Sequence, residues 1–430
     1  MKRFICMFLS FCVICSLCCC NGPKRKNSDV VYKGVERLNA TAQTNFSTNS
    51  LKNDDYKKAY DEFAFEFFSA VEAADKDSNV CLSPFSAYMA FSLCFAGSAG
   101  TTAEEFKEVF GLSKEDASEF CRSLYANFLQ REYSDKNTKF NLANSVWMDN
   151  AYAPYVKDSY LQVATNYFDA PIFRCDFSDS ATVNAVNKWC NDNTDGLIDK
   201  IIDKFDKDQI MALINALLIE AAWVTPYNDS EVVIDSFKNK DLTTSQTKFL
   251  SKKISSYYSA DDAVAFKTYL WDGFSFVGIL PNEEISIDDY CENLTFEKIN
   301  ALLENGKNPY DVYTRIPKFN TDYEVDLVEI MQSMGLNFAF NKYFADFKPM
   351  IELPTSNVYI GSAIQKTHFE LDENGIKAAA VTYIGMSEST SLPIPKPKMQ
   401  IYLDRPFVYL MMDEATGLPM FVGTVKNIHN

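Results

Sequence analysis

Residues 211–223 read MALINALLIEAAW, and no other stretch limits the fold of this chain so tightly. Apolar side chains occupy odd and even positions alike, so a strand built from it has no face to give to water. Such a strand belongs inside a sheet that is covered on both sides. FNLANSVWM, residues 140–148, reads in the same way.

Helices that would supply the cover stand upstream. Tyr60, Phe63, Ala64, Phe67, Phe68 and Val71 recur at steps of three and four, the mark of an amphipathic helix. SPFSAYMAFSLCFAG follows, with Ser83 as N-cap, Pro84 in the first helical position and Gly97 near the end. It is apolar nearly all round and is expected to be buried. Thr101 and Glu104 have capping-box spacing and predict a third helix ending near Gly111. AVNKWCNDNTDGLIDKII, residues 185–202, reads as a helix and its exit turn. Further strands are expected in FSFVGILPNE, VYTRIPKF, KTHFEL, MQIYL and PFVYLMM. Apolar residues make up 47% of the chain and aromatics 14%, enough to fill a large core. With no Gly/Pro-rich linker and no internal repeat, residues 55–430 read as one α+β domain.

The start of the chain is a separate object. Met1-Lys2-Arg3 and the apolar run that follows read as a signal peptide over residues 1–20, too short to span a bilayer comfortably. Leu17-Cys18-Cys19-Cys20 resembles a bacterial lipoprotein cleavage site, with Cys20 as the lipidated residue, although Cys19 stands where a small residue is usual. The alternative is simple cleavage and release. Either way the protein is expected outside the cytoplasm, with any membrane contact made through an N-terminal lipid. Residues 21–54 are polar, with a basic Lys24-Arg25-Lys26, and read as a flexible tether. The remaining cysteines, Cys81, Cys94, Cys121, Cys175, Cys190 and Cys291, lack the spacing of a zinc site or disulfide scaffold and read as buried thiols.

Charge and motif content argue against several functions. A formal net charge of −17 disfavours a nucleic-acid partner. His368 and His429 are the only histidines; one sits in an alternating strand and the other next to the C-terminus. There is no G-x-S-x-G elbow, P-loop, dinucleotide fingerprint or HExxH, so catalysis is not expected, and no cofactor or metal is implied.

One segment fits none of this. NGIKAAAVTYIGMSEST, residues 374–390, carries side chains suited to burial between flanks that read as loop. With its upstream strand, FELDENGIKAAAVT closely resembles the hinge of serpins, the serine protease inhibitors. NVCLSPFSAYMAFSLCFAGSAGTTAEE, LINALLIEAAW with Asn215 and Trp223, RIPKF ending at Phe319, and DRPFVYLMMDEATGLPMFVGTVKNI resemble further family segments in the same order. The likeness runs from Tyr56 to the end of the chain.

The resemblance implies about nine helices packed around three β-sheets, with an exposed reactive-centre loop near residues 374–398. It implies a suicide-substrate inhibitor, expected to be a monomer. Its partner would be a serine or papain-like cysteine endopeptidase, held as a covalent acyl complex. From the pivot Gly375, Ile376, Ala378, Ala380, Thr382, Ile384 and Met386 would share one face, and Lys377, Ala379, Val381, Tyr383, Gly385 and Ser387 the other. The first set suits burial. Carried over position by position, Glu373, Gly375, Ile376, Ala378, Ala379, Ala380 and Thr382 form the hinge. Lys318 is expected to pair with Glu373 near Trp223, and Ser83, Ser86, Asn215 and Gln365 to form the polar group where the sheet opens. Counting from Gly375 places the bait bond at Ser389-Thr390, with Glu388 and Met386 as alternatives. Gln365 replaces a histidine common in the family. Ile376 and Lys377 depart from the pattern and lean towards the alternative reading, a non-inhibitory binding or carrier protein of the same fold.

Overall fold

The computed structural model describes residues 31–39, 48–133, 137–205, 209–254, 257–307, 310–354, 357–376 and 397–428. Among these residues it has nine α-helices and three sheets. The helices are α1 (Asp54–Ala74), α2 (Pro84–Ala96), α3 (Gly100–Phe110), α4 (Lys114–Gln130), α5 (Asp158–Phe168), α6 (Ser180–Asn193), α7 (Ile287–Glu292), α8 (Phe296–Glu304) and α9 (Leu327–Ser333). The central sheet holds β1 (Glu36–Arg37), β2 (Thr138–Asp149), β3 (Ile172–Cys175), β4 (Met211–Ala222), β5 (Phe319–Asp326), β6 (Ile364–Asp372) and β7 (Gly375–Ile376). Its order is β1-β3-β2-β4-β7-β6-β5, antiparallel except for β2 against β3.

β4, the segment apolar at both parities, lies inside this sheet as its sequence demands. Its odd residues face α2 and the main core. Ile214 and Ala216 face α6, in a second cluster with Trp147, Phe173, Val186 and Trp189. Beneath α2 is a second seven-stranded sheet, whose Phe274–Pro281 and Leu418–Val425 strands are buried along their whole length. A four-stranded sheet completes the layers: Lys398–Tyr402, Asp311–Pro317, Thr244–Ile254 and Val232–Lys238.

Local signals set the helix ends. Ser83 accepts from the Ser86 N–H at 3.1 Å, with Pro84 in the first turn. α3 begins differently from the expectation. Its N-cap is Ala99, whose side chain makes no cap, and Thr101 lies inside the first turn. Burial decides this start: Thr102 is fully buried and its hydroxyl accepts from the Asp346 N–H at 2.9 Å.

Within the expected tether, residues 31–39 are a correction. Residues 31–39 pack on the body: β1 extends the edge of the sheet on β3, and Tyr32 makes edge contacts with Trp147 and Phe173. Asn39 donates to the Ala170 carbonyl and accepts from the Ile172 N–H. An unpaired edge strand and an apolar patch under α6 outweigh the polar composition that suggested a free linker. The six cysteines of the body are buried free thiols, as expected.

Candidate functional site: the hinge and the slot below it

β6 ends in a turn that sends the chain straight back into the sheet. Asp372 caps it, accepting from the N–H groups of Asn374 at 2.7 Å and Gly375 at 3.3 Å. Gly375 then pairs with Asp372 and Ala222, and Ile376 with Leu371 and Ala221. Gly375 has φ +150°, and a Cβ there would lie 2.2 Å from the Ala221 carbonyl oxygen. Only glycine fits, because both the conformation and the space exclude a side chain. Ile376 is 2% exposed, so its bulk is already accommodated within the core face.

The predicted ion pair is present. Lys318 Nζ lies 2.5 Å from Glu373 Oε2, with both side chains partly exposed. Burial raises the Glu373 pKa, but the hydrogen bond and charge of Lys318 outweigh it and hold the carboxyl below its ordinary range. Trp223 is fully buried beside it; its indole N–H donates to the Asp372 carbonyl at 2.8 Å and its backbone N–H to the Asn374 carbonyl at 2.9 Å. The Tyr227 N–H donates to the Glu373 carbonyl at 3.1 Å. Sequence reasoning missed Asp372 and Tyr227. The Asp-x-Asn-Gly spacing of an Asx-type turn was the available signal for Asp372; Tyr227 had none.

Below Ile376, β4 and β6 face each other across a cavity of about 70 Å³. Leu213, Asn215, Ala216 and Leu217 line one side, Ile364 to His368 the other, and Ser83, Ser86 and Phe91 the floor. The four expected polar residues meet here in two separate links. The Ser86 hydroxyl donates to Asn215 Oδ1, and Asn215 Nδ2 donates to Asn144 Oδ1 at 2.6 Å. Gln365 instead grips the backbone of Ser83, accepting from its N–H at 3.1 Å and donating to its carbonyl at 2.9 Å. Gln365 thus reaches α2 through Ser83 on one strand's side, and Asn215 through Ser86 on the other's. α2 spans the slot and holds both edges, and Asn144 is a further member that sequence reasoning missed.

Ala378, Ala379, Ala380, Thr382, the bait positions Met386, Glu388, Ser389 and Thr390, and Cys20 lie outside the described residues. His368 has Nδ1 2.6 Å from Asp322 Oδ1 on the outer face of the sheet.

A family model described as Serpin (serine protease inhibitor) matches residues 58–428. Human neuroserpin is 25% identical over 386 residues, covering 86% of this chain and 91% of that protein. The crystal structure of tengpin, a thermophilic serpin, in its native state superposes with a TM-score of 0.79 at 30% identity, covering 91% of this chain and 100% of tengpin. Thyroxine-binding globulin in complex with thyroxine shares the fold, at TM-score 0.73 and 22% identity, covering 87% of this chain and 99% of that one. A sheet with a hinge strand seated at its top and a slot beneath defines the class, and the chain belongs to the serpin family. Members of the family are mostly protease inhibitors, with a protease as their general partner.

Proposed function

We propose that this protein is a suicide-substrate inhibitor of serine endopeptidases, with papain-like cysteine endopeptidases as a second target class. The observation that carries the reading is the seating of Gly375 and Ile376 between β4 and β6, above a slot with no other described strand in it. The target's nucleophile attacks the carbonyl carbon of the bait bond, the bond to the next nitrogen breaks, and that nitrogen leaves as an amine. The acyl-enzyme stays joined to the loop's upstream half. Freed at one end, this half continues β7 downwards as a full strand. Some fourteen residues, at roughly 1 kcal/mol net per hydrogen bond, release more than ~10 kcal/mol. They span ~45–50 Å, enough to drag the enzyme along the sheet and deform its active site before water cleaves the ester. The native fold is thus a kinetic trap, and its stored energy is the working part.

The roles follow the geometry. Gly375 permits the entry, Glu373 and Lys318 restrain it, and the Ser83, Ser86, Asn215 and Gln365 links hold the slot's edges until the strand arrives. Ser389-Thr390 is the bait bond assigned by count. A signal peptide and lipidation at Cys20 would place the inhibitor outside the cytoplasm on a short anchor, as a monomer that consumes one protease per molecule.

Incubation with a panel of endopeptidases tests the reading. An SDS-stable complex at the summed mass is expected, together with a released C-terminal peptide whose mass locates the bond. Clean cleavage with no complex from any of them overturns the inhibitory reading. It would favour the carrier reading, which thyroxine-binding globulin shows this fold can support.

A further inference from the structure

The strands of the central sheet run from a hinge end to a far end. Thr138 of β2 is level with Ala221 and Ile376 at the first, and Asp149 closes the second, ~36 Å away along the strand. The segment between β5 and β6 leaves and returns at the far end, where Asp326 pairs with Ile364. Tyr155, just beyond Asp149 in the chain, is tied to that segment. Its carbonyl accepts from the Glu352 N–H at 3.3 Å, and Val156 pairs with Ile351.

Within this segment one turn carries its aromatic side chains outwards. Asn341 holds it: Oδ1 accepts from the Tyr343 N–H at 2.9 Å, and the carbonyl from the N–H groups of Phe344 at 3.2 Å and Ala345 at 2.9 Å. Tyr343 is 73% exposed and Phe344 62%, while Ala345 and Phe347 are buried and fix the turn to the core. Phe344 meets the Phe338 ring edge-on at 5.8 Å, and Lys342 Nζ lies 4.9 Å from the centre of the Tyr343 ring. Tyr155 adds a third partly exposed aromatic at this end. Residues 341–348 carry Lys342 and Lys348 against Asp346, one net positive charge in a chain of −17. Adjacent outward aromatics flanked by ammonium groups suit a lipid headgroup layer, which takes an apolar ring and keeps the charge wet.

The N-terminal segment also joins the body far from the hinge. Tyr32 packs against Trp147 of β2, two positions from Asp149, and β1 pairs with β3 along the same stretch. Residues 21–30 separate Cys20 from Val31, so a lipid on Cys20 lies at most ~40 Å from that point. We propose that the far end of the sheet faces the bilayer, with Tyr343 and Phe344 seated among the headgroups and the hinge end held away from it. This rests on the anchoring reading above. An anchor on so short a connection gives the patch a local concentration in the millimolar range, so two aromatics too weak to bind alone suffice to orient the body. The hinge end then stands clear of the surface, open to a protease arriving from solvent.

The test uses the mature chain from Cys20, coupled through that thiol to a maleimide lipid in phosphatidylcholine–phosphatidylglycerol vesicles; the six thiols of the body are buried. Phe344→Trp is the probe, with wild type as baseline. Ile234→Trp is the control, 73% exposed on the four-stranded sheet, whose Phe249–Pro317 pair adjoins Lys318 at the hinge end. Brominated lipids are expected to quench the added emission of Phe344→Trp at least about twofold and to leave that of Ile234→Trp unchanged. Uncoupled chain should co-sediment weakly with the vesicles, and Tyr343→Ser with Phe344→Ser should lower that several-fold. Melting of each variant shows that it is folded. No quenching in Phe344→Trp, or equal quenching in both, overturns the orientation and leaves lipidation and inhibition standing. Palmitate labelling in a bacterial host tests the anchor separately: label in wild type and none in Cys20→Ser is expected, and an unlabelled wild type overturns the anchoring reading and this inference with it.

Discussion

Lys318 Nζ and Glu373 Oε2 stand 2.5 Å apart at the top of the central sheet, tying the start of β5 to the turn from which the hinge emerges. The pair spans the entrance that any inserting strand must pass.

Removing it should ease premature insertion. Both partners are partly exposed, so Lys318→Ala or Glu373→Gln should cost the native form about 0.5–1 kcal/mol. The folded Glu373 pKa lies below its ordinary value, so the contribution is present above the unfolded carboxyl's pKa and is lost as pH falls through the folded one. The melting temperatures of wild type and Glu373→Gln should therefore differ at neutral pH and converge on acidification. A gap that persists at acid pH would refute the assignment.

Gly375→Ala should unseat β7. Its Cβ would meet backbone at 2.2 Å and 2.7 Å, neither of which can move aside as a side chain would. A loss of at least about 2 kcal/mol is expected for the seated arrangement, with faster proteolysis of the hinge. Unchanged protease sensitivity would contradict it.

Asn215→Ala should leave the Ser86 hydroxyl and Asn144 Oδ1 without a partner, costing about 1–3 kcal/mol in chemical denaturation. Gln365→His should add a pH dependence that wild type lacks at this position. Burial there favours the neutral ring, which depresses the folded pKa, so the variant's stability should fall as pH drops through about 6.5. Parallel pH profiles for the two proteins would exclude this.

Asp61 is nearly buried in α1, and desolvation pushes its carboxyl up to about 8. A raised folded pKa means that the favourable contribution is complete below the unfolded pKa and is lost as pH rises through the folded value. Asp61→Asn should therefore stabilise the protein at pH 9 by at least about 1 kcal/mol and flatten the decline in stability that runs from the unfolded carboxyl's pKa up to about 8.

The C-terminal strand is held to α1 by a fully buried pair, Lys426 Nζ to Glu72 Oε2 at 2.8 Å. Lys426→Ala should cost about 3–5 kcal/mol by stranding the Glu72 carboxylate, and Glu72→Gln with Lys426→Met should recover most of it. Urea midpoints for the single and double variants check this.

The doubly buried β4 and the cap and all-round burial of α2 were each determined by the sequence alone. Periods of two and 3.6 residues are written in neighbouring side chains and need no distant partner to be read. Residues 31–39 were not legible, because their polar composition says nothing of the apolar patch under α6 that receives Tyr32. The two-part link through Ser83 and Ser86, and the placing of Asn215 and Gln365 on opposite edges of the slot, were decided only by tertiary structure. Strand register depends on how residues more than a hundred positions apart pack, and shifting it by one residue would turn each of those side chains to the other face.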